Sequence, residues 1–258
     1  MTNAATSTGT VRHPAMSIAL SVIAGVTDVT SWLLLGGFFS AHVTGNFVVL
    51  AADAVTGHAA TLTAMLAIPV FIVVTIIATL VAGRLRGTSP ATHVSLIGAQ
   101  AVLLTIAAIL SFVTTASADP TAPLAVIIGL CAVAAMAAQN AYLHLTPGPA
   151  ATTAVMTGNL VSATTSGVQA LRSRGTDAKA VQRWQATWPL IVGFLAGCLI
   201  GAAAASTISD HAAVIPAALA IIVLIVLLIR IRRNTTTTPA SSPSAHAAGT
   251  PASHERGR

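Results

Sequence analysis

The side chains able to do chemistry in this chain are few, and most of them sit inside apolar sequence. Asp28, in the run Gly25-Val-Thr-Asp28, is the one acid within a long apolar segment. A carboxylate taken out of water is costly, so it must be paired, hydrated or protonated. Two readings follow. Asp28 is a proton- or cation-coupling site or a polar lining, or it is a neutral carboxyl that ties its segment to a neighbour by a hydrogen bond. Thr44-Gly45-Asn46 is a second polar interruption, and it recurs as Thr157-Gly158-Asn159. Thr is a good helix N-cap, Gly tolerates the backbone that precedes such a start, and Asn both donates and accepts. The exposed N–H groups at such a start give a weakly positive end. Each triplet can face a central site or can cap a loop helix and lock it to its neighbours. Gln139 and Asn140 form a third polar pair in apolar surroundings, read as interhelical glue or as lining. His42 and His144 lie near the ends of apolar runs, where either could titrate near neutral pH or serve as an interfacial side chain.

These residues must be held by long apolar elements. Hydrophobic residues make up 55% of the 258 and charged residues only 7%, against about 25% charged in a soluble domain. Mean hydropathy is +0.84. Such a surface excludes a soluble enzyme, a disordered chain and a disulfide scaffold, and leaves a polytopic membrane protein. Cys131 and Cys198 fall inside apolar runs and read as small packing residues. The first apolar run is too long for a signal-peptide core and reads as a retained span.

A hydrocarbon core about 30 Å thick needs roughly 20 apolar residues in a helix. Six segments meet this, at about 15–37, 62–83, 93–113, 122–145, 187–207 and 212–229. The stretches 40–53 and 152–171, which carry the two triplets, are apolar enough to enter a membrane but too polar for ordinary spans. With six spans and a cytoplasmic N-terminus, all 12 Lys and Arg fall on the cytoplasmic side: Arg12, Arg84 and Arg86, the group Arg172 to Arg183, and Arg230 onward. Asp53, Asp119 and Asp210 then lie outside. The positive-inside rule favours this over an eight-span alternative, which moves Arg84 and Arg86 outward. Residues 1–14 form a cytoplasmic N-terminal segment, 15–231 the transmembrane domain, and 232–258, rich in Thr, Ser, Pro and Ala, a disordered cytoplasmic tail.

The two triplets each follow a long span, and a polar pair stands upstream of each, Thr27-Asp28 and Gln139-Asn140. A proline-led span comes after each, with Pro69 and Pro189. Those spans carry matching small-residue stripes, Thr75/Thr79/Gly83 and Gly193/Gly197/Gly201. The chain thus reads as two repeats, about 14–114 and 121–231, each with three spans and one half-helix. Three is odd, so the second repeat enters the membrane in the opposite sense. The expected fold class is an all-α polytopic membrane protein: six transmembrane helices as two inverted three-helix repeats, each with a Thr-Gly-Asn half-helix.

The motifs Gly25-Val-Thr-Asp28, Phe39-Ser-Ala-His-Val-Thr-Gly-Asn46, Gln139-Asn140-Ala141 and Thr153-Ala-Val-Met-Thr-Gly-Asn159 resemble the YoaK-type family. That family groups bacterial integral membrane proteins under a domain of unknown function. The resemblance covers about 16–231 and implies a bacterial plasma-membrane protein of about six spans. It implies no substrate.

The functional expectation is a small-solute transporter or channel-like permease. Asp28, Asn46, Asn140 and Asn159 would line its pathway for a small solute or proton, with Thr44 and Thr157 as caps. The alternative is a non-transporting membrane scaffold or regulatory subunit that binds a partner through its tail or the basic loop 172–183. No Walker lysine loop, His-Glu-x-x-His, metal-spaced Cys/His cluster or Gly-x-Ser-x-Gly is present, so no cofactor, metal or enzymatic role is expected. The arginine clusters lack interleaved aromatics, which argues against nucleic acid. The Gly193/Gly197/Gly201 stripe permits close helix approach, within the chain or in a homodimer. Trp184 and Trp188 suit a membrane interface.

Overall fold

The computed structural model describes residues 14–57, 60–85, 87, 89–145 and 155–236, with side chains described to 234. The N-terminal segment and most of the tail, with Arg12, Arg86, Arg256 and Arg258, lie outside the described residues. Those described form helices and connecting turns, without strands. The helices are α1 (Pro14–Leu34), α2 (Gly45–Thr56), α3 (Leu62–Arg84), α4 (Pro90–Leu110), α5 (Pro123–Leu145), α6 (Met156–Arg172), α7 (Ala178–Ile208) and α8 (Val214–Thr236).

Local sequence sets several of these bounds. The Thr61 hydroxyl caps α3 by accepting from the Ala64 amide. Ser89 does the same for α4 through Thr92, and Pro90 follows at a position where its missing N–H costs nothing. The Asp177 carboxylate caps α7 through the amides of Lys179 and Ala180. Two expected boundaries move, and two prolines change place within their helices. The cap at Asp177 starts α7 well before residue 187. Pro69 and Pro189 lie inside their helices rather than leading them. Helix α8 runs on to Thr236, so the expected tail boundary at 232 falls within it. Arg232 and Arg233 suit the negative end of that helix.

Among the described residues, five stretches are long and apolar enough to cross a membrane: Pro14–Leu34, Leu62–Arg84, Pro90–Leu110, Pro123–Leu145 and Ala178–Asn234. The last spans 57 residues and contains both α7 and α8. The chain breaks between them at Ser209 (φ 49°), which opens a short 3₁₀ turn through Ala213. Helix α2, at 12 residues, is about 18 Å long and too short to cross. Ile72, Val73, Ile76, Ile77 and Leu80 leave one side of α3 apolar and exposed, as a lipid-facing helix requires.

Helices α1 and α7 run parallel in close contact. Gly193, Gly197 and Gly201 meet the carbonyls of Ile18, Val22 and Val26 in turn. A Cβ on Gly197 would overlap the Val22 carbonyl, and one on Gly25 would overlap that of Phe194. The Ser21 hydroxyl donates to the Leu190 carbonyl at 2.6 Å. The glycine stripe is therefore covered by α1 of the same chain, the first of the two uses its spacing allowed. Helices α3 and α5 also run parallel: Thr63 packs on Gly129, and Thr75 and Thr79 lie beside Asn140 and His144. Helices α1 and α5 run antiparallel, with Leu20 at Gln139 and Leu35 at Ile128.

Each helix packs on the next in the order α2, α3, α5, α4, α8, α1, α7, α6. Exchanging α1 with α5, α2 with α6, α3 with α7 and α4 with α8 returns the same order reversed. Thr61 beside Gly36 and Pro120, and Ser117 bonded to Asp210, bring the starts of α3, α5 and α8 to the end of α1. Asp53, Asp119 and Asp210 belong to this end. Arg84, Arg172, Arg174, Lys179, Arg183 and Arg230 to Arg233 belong to the other. The core joins Leu20, Ile23 and Ala24 of α1 to Ile97, Met136 and Ala220, and a second cluster sets Phe38 against Ala64, Ala67 and Val133.

Candidate functional site

After Leu34 the chain reverses through Gly36 and Gly37, both in the left-handed region (φ 89° and 77°) that glycine adopts without strain. It then returns along α1 instead of leaving the bundle. Residues 38–44 reach Asp28, six residues, or about 9 Å, before the end of α1. The Asp28 carboxylate holds this segment in place. Its Oδ1 accepts from the amides of Ser40 (2.9 Å) and Ala41 (2.6 Å) and from the Ser40 hydroxyl (3.2 Å). Its Oδ2 lies 2.5 Å from His42 Nδ1. Asp28 is 3% exposed. Oδ1 thus accepts from three donors, two of them backbone amides, and Oδ2 meets an imidazole nitrogen.

Non-helical backbone at this depth must have its polar groups filled by protein. Asn46, fully buried, does part of that work. Its Oδ1 accepts from the Phe39 amide and its Nδ2 donates to the Phe39 carbonyl, both at 2.8 Å. Both ends of the amide are thereby engaged, and Asn46 closes the segment seven residues after Phe39. Gly45 is required beside it, because a Cβ there would press into the Phe39 ring. Thr44 occupies the N-cap position of α2, but its side chain makes no cap bond. Phe39 stacks on Trp32 with ring centroids 5.0 Å apart, and the His42 ring meets the edge of Phe194 on α7 at 4.9 Å. His42 Nε2 is buried and has no hydrogen-bond partner among the described residues.

The second Thr-Gly-Asn region is built differently. Helix α6 starts at Met156 with Val155 at its N-cap. Thr157 thus lies inside the first turn, which corrects its expected role as a cap. Asn159 is buried, and its Nδ2 approaches the Met156 sulfur at 3.8 Å. Residues 146–154, including Thr153 and Ala154 of the motif, lie outside the described residues. Asn140 donates to the Met136 carbonyl at 3.0 Å. With Thr75, Thr79 and His144 it lines a groove of about 230 Å³ between α3 and α5. Gln139 acts as glue: it donates to the Leu20 carbonyl at 3.0 Å and accepts from Gln100 at 2.7 Å.

The structure thus unites Asp28 with the segment that ends in Thr44 and Asn46. It sets Asn140 in the α3–α5 groove, and Thr157 and Asn159 at the start of α6. Sequence reasoning placed His42 at an interface and missed it as the partner of Asp28. The signal was the Ser-Ala-His run 12–14 residues after a buried acid. Among the described residues, no group of three or more His, Cys, Asp or Glu is placed to hold a metal ion.

A family described as "Protein of unknown function (DUF1275)" matches residues 16–226, and the match takes in the pinned segment, both triplets and most or all of each long helix. The chain belongs to this family. That agrees with the YoaK-type resemblance of its motifs. No curated protein and no solved structure matches the chain.

Proposed function

We propose that this chain is a small-solute transporter or channel-like permease of the bacterial plasma membrane. In this reading it crosses six times as two inverted three-helix repeats with both termini in the cytoplasm. The observation that carries the reading is the carboxyl of Asp28, buried among apolar helices and bonded to a segment that turns back into the bundle. Buried ionisable groups at membrane depth mark pathways and couplings far more often than packing, and broken elements near them are where transport folds place their sites. The palindromic packing order supports the inverted repeat, as do the parallel pairs α1–α7 and α3–α5 with antiparallel α1 and α5. The gathering of the described Lys and Arg at one end supports a cytoplasmic position for that end.

The polar route of this proposal runs from Asp28 and the Thr44–Asn46 turn in one repeat to Asn140 in the α3–α5 groove and the Thr157–Asn159 turn in the other. The test is uptake by proteoliposomes across a broad panel of small solutes, comparing wild type with Asp28→Asn. Flux above that of empty liposomes, reduced by the substitution, is the expected result. Flux indistinguishable from empty liposomes across the panel overturns the proposal. Cysteines introduced singly at Asp53, Asp119 and Gly175, with Cys131 and Cys198 replaced by alanine, are expected to label from outside, outside and inside. Outside labelling at Gly175 would remove the six-span topology.

A further inference from the structure

The buried carboxylate of Asp28 needs a counter-charge, and its bonding pattern restricts what can supply one. Oδ1 is filled by Ser40 and Ala41 and Oδ2 by His42. A metal ion or an ammonium group could reach either oxygen only by displacing the segment. The described Lys and Arg stand at or beyond the helix ends. The imidazole of His42 is the one basic group in contact.

The geometry points to a proton-binding site at His42 Nε2, whose occupancy sets the charge of the Asp28–His42 pair and makes the proton the coupling ligand of the permease. Nδ1 is committed to Oδ2, so the bond on that side fixes the tautomer and leaves Nε2 to gain or lose the proton. Nε2 is buried and has no partner among the described residues, so a proton arriving there displaces no existing bond. With it, carboxylate and imidazolium sum to zero. Without it, one negative charge stays among apolar helices, which is unfavourable there. The histidine rides on the returning segment while the acid belongs to α1. Proton binding therefore tightens the segment on α1, and proton loss weakens that hold.

Other polar groups around the pair do not duplicate this role. Helix α7 presents the Phe194 ring to His42 and brings Cys198 beside Gly25. Helix α5 brings the neutral amide of Gln139 to α1, and α8 brings Ala217, Ala220 and Val223. Asp210, beyond Thr30, is taken by the amide and hydroxyl of Ser117.

The coupling role rests on the permease reading, whereas the binding of the proton does not, and the experiment separates them. The full chain, labelled with nitrogen-15 histidine, is placed in lipid nanodiscs and its ring nitrogens are followed by NMR from about pH 5 to 8, the range in which an imidazole changes charge. The His42 signal is the one missing in His42→Gln. Should that variant not fold, Phe194→Leu identifies the signal by the lost ring-current shift. The expected result is an Nδ1 that stays protonated while Nε2 titrates, with the titration displaced in Asp28→Asn. An Nε2 that does not change over this range, or a ring whose bare nitrogen is Nδ1, overturns the site. In parallel, vesicles containing the protein and a trapped pH dye are driven by a potassium diffusion potential. Proton entry in wild type and its loss in His42→Gln are expected. A titrating ring in vesicles that pass neither proton nor solute overturns the coupling role and the permease reading together, while the binding site stands.

Discussion

The same tripeptide stands at the starts of α2 and α6, one in each half of the proposed repeat, yet the two surroundings differ. In the first repeat an acid, a histidine and two backbone amides knit the returning segment to α1, and Asn46 brackets Phe39. In the second, the residue equivalent to Asp28 is Asn140. It turns its amide back on its own helix and faces a groove. The helix stripes diverge in parallel: Gly193, Gly197 and Gly201 press α7 onto backbone, while Thr75 and Thr79 of α3 keep their hydroxyls on their own helix. Under the proposed repeat, the two halves share a scaffold of helix positions, while the buried acid and the closest helix approach both fall at α1 and α7.

The sharpest way to break this comparison is to exchange the equivalent polar residues for leucine. Asp28→Leu strands His42 and the Ser40 and Ala41 amides, and it should lower stability by about 3–5 kcal/mol, the usual loss when one partner of a buried pair is removed. Asn140→Leu at the groove should cost less than about 1 kcal/mol. Thermal unfolding in detergent reads both, and equal effects would abolish the asymmetry. Next in size is Gly197→Val, where the new side chain meets the Val22 carbonyl and must push α7 from α1. A loss of about 1–3 kcal/mol is expected. Thr79→Val, at an exposed site on α3, should stay within about 0.5 kcal/mol.

Asn46→Ala leaves the Phe39 amide and carbonyl without partners and should cost about 2 kcal/mol. Limited proteolysis of the 35–44 segment should quicken with it. A smaller effect than that of Asn46→Ala is expected at the centre, where Gln100→Leu removes one interhelical bond to Gln139. About 1 kcal/mol is expected there, with no change in flux. A flux change would move the pathway from the repeat ends to the α4–α5 contact.

The long helices were legible because a span must be apolar over its whole length, and hydropathy records that directly. The stripe Gly193/Gly197/Gly201 was legible as a close-approach surface, but its target was not, since spacing describes one helix and the contact with Ile18, Val22 and Val26 belongs to two. Asp28 was singled out by the cost of burying a charge. Its partner was missed because His42 sits just past a span end in the sequence, and only the reversal at Gly36 and Gly37 returns it to the depth of Asp28. Thr44 and Thr157 share a motif but not a position, because α6 begins one residue before Thr157 and α2 one residue after Thr44. Cap chemistry alone could not register that offset.

The parallel seam between α1 and α7 has a consequence for biosynthesis. The groove-fitting glycines and the Leu190 acceptor for Ser21 emerge from the ribosome some 169 residues after Ser21 itself. Until then the first helix waits in the bilayer with a polar edge unmatched, and its guardian in the interval must be lipid, the insertion machinery or a chaperone. Helices α1 and α7 lie on opposite sides of the α4–α5 junction, so a chain divided there forms the seam only when both pieces are present.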